Sequence, residues 1–311
     1  MNPEILASLN VGAVFRNSDF PCVGLSFSRD GSALGVGFED GTVTVIDPDE
    51  AKLVRTHRSH KYGLSRFCFL NQDPRGTLAA SVGCPDIVED FSIRVWDLVQ
   101  NRFCRVFKHH ESLIDTISAH PSEDMLVTSS KDGTTCMWDV REEKPVWICR
   151  EEGASISAFD KAEGSNIFVV TCPSTKSIGF FDMRQFGSPV GQLSKFPNPM
   201  EEIVFSGNGR KLLVGSGRLG AVSTICVETM SVKSTYFLQP SKRKYNLSTS
   251  ACATFGMAST VANNLDIWNI DSRVKVRTLA GHDGPAMGLF SPRHALVATA
   301  SMPVALWAPF L

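Results

Sequence analysis

SSKDGTTCMWDV, residues 129–140, joins an Asp-Gly turn to a strand that ends in Trp-Asp. Asp132-Gly133 supplies the positive φ that a two-residue hairpin turn needs, and the β-branched and aromatic residues after it favour an extended strand. Reading outward, residues 105–139 repeat residues 13–47 without a gap, at an offset of 92. Val14/Val106, Phe15/Phe107, Ser26/Ser118, Leu34/Leu126, Asp40/Asp132, Gly41/Gly133, Thr42/Thr134 and Asp47/Asp139 are identical. Each copy holds an apolar run, a polar turn, a second apolar run, an Asp-Gly-Thr turn and an alternating strand ending in Asp. The pattern predicts a chain of short strands joined by tight turns.

Positions equivalent to Trp138 recur at Ile46, Trp96, Phe181, Ile225, Trp268 and Trp307, with spacings of 39 to 50 residues. A period of roughly 40–45 residues closed by Trp-Asp marks a four-stranded blade of a WD-repeat propeller. The expected fold is therefore all-β: one seven-bladed propeller over residues 1–311. The approximate blades are 13–52, 53–100, 101–145, 146–190, 191–235, 236–274 and 275–311. A lone blade cannot bury both faces, whereas radial stacking covers them and leaves short edges. Blade seven ends near the last residue and lacks an outer strand, so residues 4–9, apolar from Ile5 to Leu9, are expected to close the ring. Blade six reads as degenerate: Phe255 lies closer to Trp268 than Ala119 lies to Trp138, which implies a shortened inner turn or a poorly formed strand.

The net charge is −1, which argues against a polyanion-binding protein as a whole and against direct nucleic-acid binding. No apolar run is long enough for a membrane span, and MNPEILASLN lacks the basic and apolar regions of a secretory signal. The nine cysteines form no C-x-x-C pair. They read as small apolar residues in a reducing compartment, with neither a zinc site nor a cofactor expected.

His110, Ser129 or Ser130, Asp132 and Trp138 fall within one blade. A Ser/His/Asp set suggests a hydrolase, but in a WD-repeat blade these residues resemble a structural network tying the inner hairpin to the outer strand. Buried polar groups must be paired, and this set pairs itself; no Gly-x-Ser-x-Gly elbow accompanies it. No catalytic residue is assigned, and the chain is expected not to be an enzyme. His282 reads as the same element in blade seven, with Met302-Pro303 in place of the turn Asp. Gly215-Ser216-Gly217-Arg218-Leu219-Gly220 matches G-x-G-x-x-G without a following helix and reads as a hairpin turn. Connections between blades and inner hairpin turns share one rim, which gathers Lys61, Tyr62, Lys131, Lys176, Arg218, Lys242, Arg243 and Lys244, with Tyr245 beside them. These cations could hold a phosphorylated peptide, countered in part by Asp86, Glu89 and Asp90. Gly63 would turn the chain so that Tyr62 stands proud as an anchor; the alternative is a tyrosine packed between blades. Trp138-Asp139-Val140-Arg141 and Phe181-Asp182-Met183-Arg184 are Trp-Asp-x-Arg-type strings, which in many WD-repeat proteins dock a cullin-RING ligase adaptor; the alternative is a local Asp–Arg pair.

VFRNSDFPCVGLSFSRDG (14–31), RTHRSHKYG (55–63), FDMRQFGSP (181–189), GHDGPAMGLFSP (281–292) and LWAP (306–309) resemble the Swd-type WD-repeat subunit. That subunit is shared by histone methyltransferase and transcription-termination complexes. The resemblance spans the first blade to the last. It implies a non-catalytic nuclear scaffold that docks a short linear motif of a larger regulatory protein. The implied partners are a SET-domain methyltransferase of COMPASS type or a PNUTS-like subunit of type-1 phosphatase, together with the phosphorylated tail of RNA polymerase II. The competing expectation is a substrate receptor of a cullin-RING ubiquitin ligase.

Overall fold

The computed structural model describes residues 2–59, 61–70, 76–150 and 156–309. Within the quoted resemblance segments, only His60 lies outside these residues. Among the described residues, twenty-eight strands form seven four-stranded antiparallel sheets, each read from the centre outward. Blade three is typical: Ile114–Ala119 innermost, then Met125–Ser130, Thr134–Asp139 and the outer Trp147–Arg150. Each innermost strand contacts the innermost strand of the next blade, and that of blade seven contacts that of blade one. The ring is closed, and the chain is an all-β seven-bladed propeller.

The seven Trp-equivalent positions all lie on third strands, and all are buried. That strand is sandwiched within its sheet and between neighbouring sheets, so a large apolar side chain there fills the space between blades. Polar side chains of the inner strands latch adjacent blades together. Ser26 accepts the Phe69 amide (3.1 Å), Ser118 the Phe159 amide (3.2 Å) and Ser248 the Phe290 amide (3.3 Å). The Ser26/Ser118 identity in the repeat thus has a structural cause.

The N-terminus closes the ring, but not through residues 4–9. Pro3–Ala7 is a short helix whose N-cap Asn2 accepts the Ile5 amide. Leu6 is buried against Leu265 and Leu279 of blade six. The closing strand is Leu9–Phe15, paired antiparallel with Val304–Pro309. The repeat explains the shift. Phe15 aligns with Phe107, the last residue of the outer strand of blade two, so the repeated unit begins with the outer strand of the preceding blade.

Blade six also departs from expectation. All four strands form: Leu247–Thr249, Phe255–Ser259, Leu265–Asn269 and Lys275–Leu279. Ser250 donates its amide to Phe255 as His120 does to Met125. Thr249, not Phe255, is therefore the counterpart of Ala119, and the inner turn is not shortened. The blade carries neither the His nor the Asp-Gly turn of blade three, and its inner strand, like that of blade four, is three residues long.

Candidate functional site

Antiparallel strands put the connections between blades and the turns between second and third strands on one face of the disc, called here the upper face. Lys61 and Tyr62 lie in the connection from blade one to blade two. Lys131, Lys176 and Arg218 occupy the inner hairpin turns of blades three, four and five. Lys242, Arg243 and Lys244 lie between blades five and six. The cations share a face and are spread around it, and two of them already form ion pairs. Lys244 Nζ pairs with Asp115 Oδ1 at 3.5 Å, and Arg218 Nε with Glu201 Oε1 at 3.3 Å.

Two tyrosines differ from expectation. Tyr245 is core, 2% exposed, and its hydroxyl donates to the Gln239 carbonyl at 2.6 Å. Tyr62 is half-buried rather than proud. Gly63 does adopt positive φ (57°), but the third strand of blade two, Ile93–Asp97, places the Arg94 guanidinium against the Tyr62 ring, 3.7 Å from its centroid, with Phe103 at the ring edge. Arg94 is itself buried and pairs with Asp90. The hydroxyl of Tyr62 is held below its usual pKa, chiefly by hydrogen bonding to Lys61.

Reading the sequence alone misses the mouth of the central channel, where Arg66, Asp115, Glu202 and Lys244 meet. Burial pushes the Glu202 carboxyl up to about 7, against the pull of Arg66 and Lys244. Arg66 Nε donates to the Asp115 carbonyl at 2.9 Å. Only the fold brings these distant segments to one axis, so no local sequence signal marks the group. At the opposite end the channel opens into a cavity of about 560 Å³ lined by all seven blades, Phe27, Phe69 and Lys161 among them.

His110, Asp132 and Trp138 do come together, around Thr128 instead of Ser129 or Ser130. Trp138 Nε1 donates to Thr128 Oγ1 (2.9 Å), Thr128 Oγ1 lies 2.8 Å from His110 Nε2, and His110 Nδ1 lies 3.1 Å from Asp132 Oδ2. Asp132 also accepts from the Thr134 hydroxyl (2.5 Å) and amide (2.7 Å) and from the Glu111 amide (2.9 Å). Burial opposes the Asp132 carboxylate, but these bonds outweigh it and hold its pKa at about 2. Burial depresses the pKa of His110, so the imidazole is neutral and its Nδ1–H faces the acid. Ser129 bonds to Thr135 and Ser157, and Ser130 to the Ser112 carbonyl, so neither serine pairs with the histidine.

In blade seven, His282 Nε2 lies 2.9 Å from Thr299 Oγ1, which accepts from Trp307 Nε1 at 2.8 Å. Asp139 and Asp182 each hold the arginine two residues on, at 2.7 Å (Arg141) and 2.6 Å (Arg184); both strings form the local pair. Glu39, Cys84 and Asp86 bring three potential metal donors within 4.8 Å of one another, one short of a closed structural zinc site.

Comparison with protein families matches residues 101–139 to the WD domain, G-beta repeat. The chain is 24% identical to WD repeat-containing protein 82 of Drosophila melanogaster, over 98% of this chain and 96% of that one. It is 22% identical to the COMPASS component SWD2 of Saccharomyces cerevisiae, over 90% and 88%. With the Set1 complex component swd2 of Schizosaccharomyces pombe it shares 26%, over 69% and 60%. The chain is a seven-bladed propeller that is similar, over most of its length, to WD-repeat proteins of the Swd type. At this identity the shared feature is the whole ring, and the upper-face residues of this chain are argued from its own geometry.

Proposed function

We propose that the chain is a non-catalytic scaffold subunit of a nuclear chromatin or transcription complex, which docks a short linear segment of a larger regulatory protein on its upper face. The similarity to relatives named as a COMPASS component, over 90% of this chain, and as a Set1 complex component, over 69% of it, carries this reading. A rigid disc with cationic loops on one face suits it, since segments that fold on binding lose less affinity to ordering when their platform is preorganised. The partner would be a SET-domain methyltransferase or a PNUTS-like phosphatase subunit. The cations of the upper face would add weak, salt-sensitive affinity for the phosphorylated polymerase tail. Arg141 and Arg184 stay largely exposed despite their local pairs with Asp139 and Asp182, which keeps ligase-adaptor docking as the rival reading.

Affinity purification of the tagged chain from nuclei, followed by mass spectrometry, separates the two. A SET-domain protein or phosphatase regulatory subunit at near-stoichiometric yield is expected. Cullin and its adaptor as the dominant proteins would replace the scaffold reading with the ligase one.

A further inference from the structure

The G-x-G-x-x-G string of blade five has a structural explanation with a functional consequence. Its turn is stitched to the connection leading into blade six: Ser241 donates its amide to the Gly217 carbonyl, and Leu238 its amide to the Gly220 carbonyl, both at 2.7 Å. A β-carbon at Gly217 would collide with the Arg243 carbonyl, and one at Gly220 with the Leu238 carbonyl; Gly220 also adopts φ +62°. The glycines thus let two backbone segments touch. The result is a rigid corner that projects Arg218 and Leu219 from one segment and Pro240, Ser241, Lys242 and Arg243 from the other. Arg218, Pro240, Ser241 and Lys242 line a concavity of about 380 Å³. At its margin ends the outer strand of blade five, whose last residue, Phe237, is 74% exposed, with Leu219 at 50%. No other large apolar side chain among the described residues is as exposed as Phe237. The whole chain carries a net charge of −1, yet among the described residues the only ion pair made by Arg218, Lys242 or Arg243 is that of Arg218 with Glu201. Large apolar groups beside cations on a preformed surface are the composition of an interface anchor, not of a solvated loop.

We propose that this corner is a two-part docking site for an acidic linear peptide, whose carboxylates or phosphate meet Arg218 and Lys242 while an adjacent aromatic or large aliphatic side chain covers Phe237 and Leu219. The proposal rests on the reading of the disc as a platform for linear segments. Charge complementarity selects an acidic occupant. The exposed phenylalanine requires an apolar residue next to the charge, which a purely electrostatic clamp would not.

The test uses the full chain and three labelled peptides of equal length: glutamates flanking one phenylalanine, the same peptide with serine for phenylalanine, and the same with glutamines for glutamates. The first should bind best, and each of the others about tenfold more weakly, a typical anchor effect. Phe237→Ser combined with Leu219→Ser should remove the preference for phenylalanine without altering the response to glutamate. Arg218→Glu combined with Lys242→Glu should reverse the preference for glutamate. Melting temperatures should hold, because the substituted side chains are exposed. Equal binding of the phenylalanine and serine peptides would overturn the two-part site, as would equally tight binding of a single-stranded RNA of matched charge. Partner recovery from nuclei distinguishes the levels. If wild type and the four substitutions together recover the same SET-domain or phosphatase subunit, the scaffold reading stands and this corner is not its dock. If wild type recovers neither, the scaffold reading falls first.

Discussion

Blade three and blade seven carry the same hydrogen-bond chain, from the indole of a tryptophan through a threonine hydroxyl to a histidine, and differ in the far side of that histidine. In blade three the imidazole passes its second ring N–H to Asp132, which is fixed in turn by Thr134 and the Glu111 amide. In blade seven the segment from Thr299 to Trp307 is two residues shorter than that from Thr128 to Trp138. The missing residues are those of the Asp-bearing turn; Ser301 and Pro303 close the hairpin through a single intervening residue, Met302. His282 Nδ1 is left buried without a partner. The acid is thus a separable end of the network, while the threonine hub is common to both blades. What blade seven lacks in polar pairing it replaces with a strand brought from the far end of the chain.

The largest effect should come from removing that strand. Deleting residues 1–15 strips the pairing from Val304–Pro309 and opens the cluster that holds Leu6, Leu9 and Trp307. Burying each such apolar side chain is worth about 1.5–3 kcal/mol, and the total approaches the whole stability of about 5–15 kcal/mol typical of a domain. The truncated chain should lose its cooperative melting transition. Deleting only residues 1–8 should cost about 2–3 kcal/mol, the share of one buried leucine, because the strand survives. Equal melting of both truncations and the full chain would show that blade seven closes by other means.

The hub comes next. Thr128→Val leaves His110 Nε2 and Trp138 Nε1 unpaired at the centre of blade three, and each buried group so stranded costs about 1–3 kcal/mol. Chemical denaturation should register a loss of about 2–5 kcal/mol, and Thr299→Val should cost a similar amount in blade seven. Asp132→Ala, a change that blade seven has in effect already made, should cost less, about 1–3 kcal/mol. If Asp132→Ala proved the more damaging substitution, the acid and not the threonine would be the hub.

These contrasts mark how far the sequence can be read. The seven third strands are legible because a buried aromatic or branched residue recurs at a steady period, and Asp-Gly announces its turn. The threonine hub is obscured by the adjacent Ser129 and Ser130. Residues two apart on a strand share a face, so Thr128 and Ser130 are equally placed by pattern alone, and only register decides between them. Blade one shows the same limit. It keeps Asp40 bound to Thr42 but has Ser18 where His110 aligns, so the repeat survives without the network. The closing strand is misplaced by pattern because its first residues read as an apolar strand, whereas Pro3 and the Asn2 cap start a helix. At the upper face, residue type predicts exposure well for the lysines and poorly for Tyr62 and Tyr245, whose packing depends on loops from other blades. The charged group at the channel mouth joins residues far apart in the chain, and no periodicity records it.

The smallest effect separates the two histidines most cleanly. Burial lowers the pKa of both His110 and His282 from the usual imidazole value of 6.5. As pH falls through that value the unfolded chain takes up protons that the folded chain resists, so the unfolded state binds more protons and stability declines. At pH 8 both are neutral in either state, and only hydrogen bonding distinguishes them. His110→Phe should then cost about 1–3 kcal/mol, since Thr128 and Asp132 each lose a partner in the interior. His282→Phe should cost less than about 1 kcal/mol, because it also removes a buried nitrogen that has no partner. At pH 5 the difference between His282→Phe and wild type should move in favour of the variant, which no longer carries a group that resists protonation in the fold. Urea denaturation at both pH values measures this directly. Equal costs for the two substitutions at pH 8 would mean that an ordered water completes His282 as Asp132 completes His110, and the contrast between the blades would be one of chemistry only, without consequence for stability.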